Sequence, residues 1–185
     1  EAMLWAYRAK GASHVERMVR QTLLKMARGG IYDQIGGGFH RYAVDARWLI
    51  PHFEKMCYDN ALLARLYLAA YQVYQAPFYR RIAVETLEYV QREMTSDDGG
   101  FYATEDADSE GREGAFYLWT PEEIIQILGS REGGIVNRYY GLADGPNFEG
   151  KNILHVPRDD DVVAHMEGIT EGQLHDILAS SRPKL

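Results

Sequence analysis

Apolar residues recur with the period of an α-helix along much of this 185-residue chain. The clearest stripe has spacings of three and four residues and consists of Val15, Met18, Val19, Thr22, Leu23 and Met26. Ser13 and Glu16 form a capping-box pattern at the start of this helix, and Gly29 predicts its end in the left-handed conformation. The pattern predicts an all-α fold.

Further helices are predicted over about 56–75 and 78–95. The first of these is apolar on nearly every side, so we expect it to be buried. The segments 120–123 and 170–173 each place a threonine three residues before a glutamate or glutamine. This spacing is typical of a capping box and predicts two more helix starts.

Two long connections, residues 29–55 and 97–119, are rich in glycine and aromatic residues. Connections of this length inside a compact domain are usually functional. Short β-hairpin arms are predicted near 39–44 and 116–119. Gly29-Gly30-Ile31-Tyr32 also recurs as Gly99-Gly100-Phe101-Tyr102, each time after an amphipathic helix. The repeat predicts an array of α/α hairpins.

Composition excludes several classes of protein. The net charge of −7 argues against nucleic-acid binding, because no basic stripe is present. The single cysteine, Cys57, excludes a disulfide framework and a Cys-rich zinc site. We recognise no membrane span and no signal peptide, so we expect a cytoplasmic protein. No metal or other cofactor is expected, because Tyr117 stands where an EF-hand beginning in the acidic segment 105–113 would require a glutamate.

Candidate catalytic residues lie at the end of the first long connection. His52 and Glu54 are predicted to form an acid/base pair, because histidine titrates near neutrality and a carboxylate beside aromatic surface acquires a raised pKa. A favourable interaction with the dipole of the following helix also explains Glu54 or Asp59 without any function. The sequence alone does not distinguish the catalytic role from the interaction with the helix dipole.

The second connection contributes Asp106 and Asp108. Two carboxylates about 5–9.5 Å apart across a sugar ring are typical of glycosidases, so we expect these residues to oppose His52 or Glu54 across a cleft. A solvated acidic turn is the alternative. Candidate substrate-binding residues, whose aromatic members would shape the cleft, are Tyr32, Asp33, Arg41, Trp48, Phe53, Asp59 and Glu105.

Segments 29–39, 48–60 and 98–117 resemble the family of spermatogenesis-associated protein 20 and its bacterial relatives. Members of that family resemble a fusion of a thioredoxin-like domain with an (α/α)6 toroid of the six-hairpin glycosidase type. The toroid is similar to N-acylglucosamine 2-epimerases. The resemblance implies that residues 1–185 form one domain, the N-terminal half or so of such a toroid, without the thioredoxin-like domain. It identifies no catalytic residue.

We therefore expect a carbohydrate-active protein of the sugar epimerase, isomerase or glycosidase type. It would apply acid/base chemistry to a small, sugar-like molecule in the central cleft. The alternative is a non-catalytic binding or scaffold module that accompanies a thioredoxin-like redox domain. A half toroid leaves helix faces exposed, so we also expect self-association through them.

Overall fold

The computed structural model describes residues 1–109 and 111–185. Glu110, part of the acidic segment, lies outside the described residues. Within those residues the chain is mostly helical, with small antiparallel hairpins, which confirms the predicted class; the closed toroid stays a prediction. Its α-helices are α1 (Ala2–Lys10), α2 (Ser13–Arg28), α3 (Cys57–Tyr74), α4 (Pro77–Glu93), α5 (Pro121–Leu128), α6 (Ser130–Tyr139), α7 (Asp160–Glu167) and α8 (Glu171–Ser181).

Short antiparallel strands lie mostly within the two long connections, and one strand pair joins the connections to each other. The antiparallel pairs are β1 (Tyr42–Ala43) with β2 (Pro51–His52), β3 (Lys55–Met56) with β4 (Thr104–Glu105), β5 (Asp108–Ser109) with β6 (Arg112–Glu113), and β7 (Leu118–Trp119) with β8 (Asn152–Ile153). Lys55 lies opposite Glu105, so the first connection pairs directly with the second. Of the two predicted hairpin arms, the one near 39–44 is present as β1, which forms a hairpin with β2. The segment 116–119 contains β7, but β7 pairs with the distant β8 and forms no hairpin.

The local sequence signals predicted most helix ends correctly, but one of the predicted caps does not form. The capping boxes at Thr120 and Thr170 are both present. Ser13, in contrast, is the first helical residue and caps nothing, because Ala12 occupies the N-cap and Glu16 pairs with Arg20 at 2.7 Å. Helix α2 ends before Gly29 as predicted, but Gly29 is extended with φ −78°. The chain therefore leaves α2 without the expected left-handed turn.

The apolar core has two main parts. One lies among helices α1–α4 and the first connection, and the other among helices α5–α8 and the segment around Leu154. A small cluster of Phe53, Ala107 and Ile153 lies where the two connections meet. The connections are therefore structural elements of the core.

Helices α3 and α4 are less enclosed than the sequence predicts. Tyr67 and Ala70 on α3 are buried, but Leu62 and Leu68 are exposed. The apolar spacing within 78–95 also predicts that Leu87 on α4 faces inward, but Leu87 is exposed. The prediction that α3 is buried all round was wrong, because only the face of α3 that carries Asn60, Ala64, Tyr67 and Ala70 is buried. No helix in the described part of the chain is long and apolar enough to cross a lipid bilayer.

Candidate functional site

The first connection folds back on itself at two glycines. A Cβ atom on Gly30 would lie 2.1 Å from the carbonyl oxygen of Leu49, and one on Gly29 would lie 2.2 Å from that of Trp48. The N–H of Ile31 donates to the Trp48 carbonyl at 3.0 Å. Trp48, a predicted substrate contact, itself packs against the core of α1–α4. Its position is therefore explained by packing.

A buried ion pair lies beneath this connection. Lys55 Nζ is 2.8 Å from Asp33 Oδ2 and 3.2 Å from the carbonyl oxygen of Gly37. The ammonium group also lies over the rings of Tyr89 and Tyr117, at 4.2 and 4.8 Å from their centroids. Burial by itself raises the pKa of Asp33, but the attraction of Lys55 outweighs it and holds this pKa below its usual value. Asp33 is therefore an ionised carboxylate that Lys55 holds in place.

His40 stands beside this pair as a neutral imidazole. Its Nδ1 is 2.9 Å from the carbonyl oxygen of Phe53, and because a carbonyl only accepts, Nδ1 carries the proton and Nε2 the lone pair. Burial, followed by the charge of Lys55, lowers the pKa of His40 to about 3. Its ring also packs edge-on against Tyr117, with centroids 4.6 Å apart. His40 is therefore held rigidly, with an acceptor nitrogen.

Gln34 is fixed in a similar way. Its Nε2 donates to the carbonyl oxygens of Ala27, Gly29 and Tyr32 at 3.1, 2.9 and 3.2 Å. Three surrounding acceptors settle which end of the amide is nitrogen, so Oε1 is the end left for other contacts.

These residues border a cavity of about 950 Å³ that opens to solvent. Its walls come from the first connection, helix α4, the segment 116–119, strand β8 and the end of α8. Three of the predicted substrate-binding residues, Tyr32, Asp33 and Phe53, line it. Aromatic rings on its surface also include Phe116, Tyr117 and Trp119, none of which was singled out as a site residue from the sequence.

Charged side chains around the cavity form ion pairs and hydrogen bonds with other residues of the protein. Tyr32 Oη donates to Glu85 at 2.5 Å, and Arg182 Nη1 donates to the same carboxylate at 2.6 Å. Burial alone raises the pKa of Glu85, but Arg182 more than offsets this and lowers it. Burial and the neighbouring Glu85 raise the pKa of Tyr32 well above its usual value. Tyr32 is therefore a protonated donor.

The predicted acid/base pair lies in a different place, which we call the hairpin cluster: Arg41, His52, Glu54, Thr104 and Glu113. His52 Nδ1 is 2.7 Å from Glu113 Oε1, and His52 Nε2 is 3.5 Å from Glu54 Oε2. Arg41 Nη1 donates to Glu54 at 2.8 Å and Thr104 Oγ1 donates at 3.1 Å. The hydrogen bond from Arg41 is the main reason that the pKa of Glu54 is lowered. Glu54 is therefore an ionised, paired carboxylate.

The structure brings His52 to Glu113 rather than to Asp106 or Asp108. Asp106 and Asp108 are exposed, and Asp106 Oδ1 accepts the N–H of Asp108 at 3.1 Å, which forms a local turn. Glu113 was missed because it lies 61 positions from His52 along the chain, and only the fold brings the two together. The only sequence signal that pointed to Glu113 was its position in the acidic segment 105–113.

The two remaining candidates also lie away from the described cavity walls. Glu105 accepts hydrogen bonds from Tyr89 Oη and, at 3.0 Å, from Tyr117 Oη. Asp59 is half-buried in the first turn of α3, where burial raises its pKa. Among residues 1–109 and 111–185, no group of three or more His, Cys, Asp or Glu side chains is placed to hold a metal ion.

Together these features define a mostly helical domain with a solvent-open cavity built from its loops. The chain is homologous to spermatogenesis-associated protein 20: it is 37% identical to the human protein over 94% of this chain and 40% identical to the rat protein over 78%. It is also 36% identical to an uncharacterized protein of Caenorhabditis elegans over 85% of the chain. This homology confirms the predicted resemblance.

The chain spans about a quarter of the length of these curated relatives, 25% of the human protein and 21% of the rat protein. No family model matches it.

Proposed function

We propose that this domain binds a small, sugar-like molecule in the loop-built cavity, as part of a carbohydrate-active protein. The observation that carries the proposal is the cavity itself, which combines aromatic walls with buried polar groups. Its volume of about 950 Å³ lies within the range in which proteins bind small molecules.

The aromatic walls support a ligand with apolar faces and polar edges. The Phe116 side chain is 73% exposed and lines the cavity, although phenylalanine is usually buried. The C–H face of a sugar ring complements the negative face of an aromatic ring in such a position. Stacking on Phe116, with polar contacts deeper in the cavity, is therefore the proposed mode of binding.

The type of chemistry is part of the same proposal. An epimerase, isomerase or glycosidase activity needs acid/base groups at the ligand, and His52 with Glu54 stays the predicted pair. Because the described cavity walls do not include these two residues, their use would require the ligand to contact the hairpin cluster as well. The proposed fold is a partial (α/α)6 toroid, which the successive helix pairs α3–α4 and α5–α6 support.

One observation favours the second candidate, a non-catalytic binding or scaffold module beside a thioredoxin-like domain. Glu54 and Glu113 both bind residues of the hairpin cluster, and these contacts connect β2, β4 and β6. In this alternative the carboxylates hold the connections in place and carry out no chemistry.

The test is thermal unfolding of the purified chain with a panel of monosaccharides. A ligand at about 100 times its Kd stabilises the folded state by about 2.7 kcal/mol, which gives a visible shift. Phe116→Ala should reduce the shift, whereas Phe101→Ala should not, since Phe101 is a similarly exposed ring outside the cavity walls.

Two other outcomes would contradict the cavity proposal. A shift that is lost in Glu54→Gln and retained in Phe116→Ala would move the site to the hairpin cluster. No shift with any sugar would favour the scaffold function.

A further inference from the structure

The buried end of the cavity presents two hydrogen-bond acceptors on rigid side chains. Gln34 and His40 are only 6% and 2% exposed, and both line the cavity. Among the described residues, neither Gln34 Oε1 nor His40 Nε2 accepts a hydrogen bond. Each of these two atoms keeps some exposed surface, and both side chains form part of the cavity wall.

The other polar atoms of the same two side chains form hydrogen bonds within the protein. Three carbonyl oxygens hold the amide nitrogen of Gln34, and the Phe53 carbonyl holds Nδ1 of His40. Neither ring nor amide can flip to offer a donor without breaking these bonds. The two side chains therefore offer acceptors only.

The positive charges near the cavity, in contrast, already have partners. Arg182 donates to Glu85 at 2.6 Å and to the carbonyl oxygen of Gln34 at 2.7 and 2.9 Å. Arg92 donates to the carbonyl oxygen of Gly36 at 2.7 Å and to Glu93 at 2.6 Å. Three carboxylates and two guanidinium groups line the cavity in total. Lys55 pairs with Asp33, one of these carboxylates, at 2.8 Å, so the side-chain charges around the cavity nearly balance. A phosphate group would therefore meet buried acceptors and positive charges that are already paired.

We propose that this cavity selects an unphosphorylated, donor-rich ligand, a free sugar, polyol or amino sugar, through hydrogen bonds to His40 Nε2 and Gln34 Oε1. The proposal rests on the proposed function, because it concerns the ligand of the same cavity. A hydroxyl or ammonium group donates to both acceptors, and an ammonium group is further favoured by Glu88 on the cavity wall. A phosphate dianion placed against these two acceptors offers no donor and would leave them unpaired.

The test compares free sugars with their phosphates on the unmodified chain. Affinities of D-glucose, D-mannose and D-glucosamine are measured by calorimetry or NMR titration beside the 6-phosphate of each. The expected result is that each free sugar that binds does so at least about tenfold more tightly than its phosphate, which corresponds to about 1.4 kcal/mol. Tighter binding of the phosphates would overturn this inference and leave the proposed cavity function standing.

Variants then identify the acceptors. His40→Asn keeps an N–H for the Phe53 carbonyl but lacks the second ring nitrogen, so free-sugar affinity should fall about tenfold. Phe116→Ala should weaken free and phosphorylated sugars alike, because stacking does not depend on charge. Unchanged affinity in a folded His40→Asn protein would overturn the role of His40. Absence of binding by every probe would overturn the proposed function together with this inference.

Discussion

Lys55 Nζ lies 2.8 Å from Asp33 Oδ2, and the side chains are 1% and 11% exposed. This pair connects the start of the first connection to strand β3, whose backbone pairs with β4 of the second connection. Asp33 lines the cavity, and the charge of Lys55 acts on the neighbouring His40. The ion pair therefore holds together the part of the fold on which ligand binding is proposed to rest.

Removing one partner of this pair should be strongly destabilising. Lys55→Met or Asp33→Asn alone is expected to lower the free energy of unfolding by about 3–5 kcal/mol, because a buried charge or its partner is left uncompensated. The double variant should lose clearly less than the sum of the two. Urea unfolding of the three proteins measures this coupling.

Arg158→Met is the matched control for the ion pair. Arg158 forms a two-contact pair with Asp144 at 2.6 and 2.9 Å on the surface. Its loss should change the free energy of unfolding by no more than about 1 kcal/mol. Additive losses in the Lys55 and Asp33 cycle would show that the two residues do not act as a pair.

Gly30→Ala should destabilise the protein through a clash with rigid backbone. The added Cβ would lie 2.1 Å from the Leu49 carbonyl oxygen and 2.4 Å from Ile153 Cγ2. We expect a loss of about 2 kcal/mol or more in urea unfolding. Gly134→Ala in helix α6, where nothing lies within 4 Å, should instead stabilise by about 0.5–1 kcal/mol. Equal effects would contradict the close approach at Gly30.

The stability should depend on pH through buried histidines. Burial and Lys55 lower the pKa of His40 to about 3 in the folded protein, whereas the unfolded chain has the ordinary value near 6.5. Between these values the unfolded state binds more protons, so the free energy of unfolding falls as the pH is lowered below about 6.5. The slope is at most about 1.4 kcal/mol per pH unit for each such group.

Unfolding curves between pH 5.5 and 7 measure this dependence, a window that lies more than about one unit above the ordinary pKa values of aspartate and glutamate. His40→Asn should make the slope shallower. His155, whose pKa burial also lowers, contributes in the same direction, so His155→Asn is a second independent variant. A slope that is unaffected by His40→Asn would contradict the neutral, buried imidazole.

Replacing the two predicted cap residues, Thr120 and Ser13, should affect stability differently. Thr120 accepts the N–H of Glu123 at 3.2 Å, and Glu123 accepts the N–H of Thr120 at 2.7 Å. Thr120→Ala should therefore lower the free energy of unfolding by about 1 kcal/mol. Ser13→Ala should have little effect, since Ser13 lies inside helix α2 and caps nothing. A comparable loss at Ser13 would restore the capping box that the sequence pattern indicated.

Self-association through exposed helix faces stays a prediction. Leu62 on α3 and Leu87 on α4 are exposed by 58% and 54%. If these faces associate, sedimentation of the chain should show a dimer that Leu62→Glu dissociates. A monomer at all concentrations in the unmodified chain would contradict this prediction.

The sequence by itself determined the helical class, most helix starts and ends, and the resemblance to spermatogenesis-associated protein 20. These features depend on residues a few positions apart, such as the spacing of apolar side chains and the capping boxes at Thr120 and Thr170. The repeated segments 29–32 and 99–102 show the limit of such local signals. Ile31 and Tyr32 are buried, whereas Phe101 and Tyr102 are exposed, although the local patterns are alike.

Only the tertiary structure decided which polar groups meet. Asp33 pairs with Lys55 across 22 positions, and His52 with Glu113 across 61. His40 is neutral because the chain buries it beside Lys55, and no local pattern predicts that environment. Contacts of this kind depend on the path of both long connections, because hydrogen bonds and charge interactions act over a few ångströms whatever the distance along the chain.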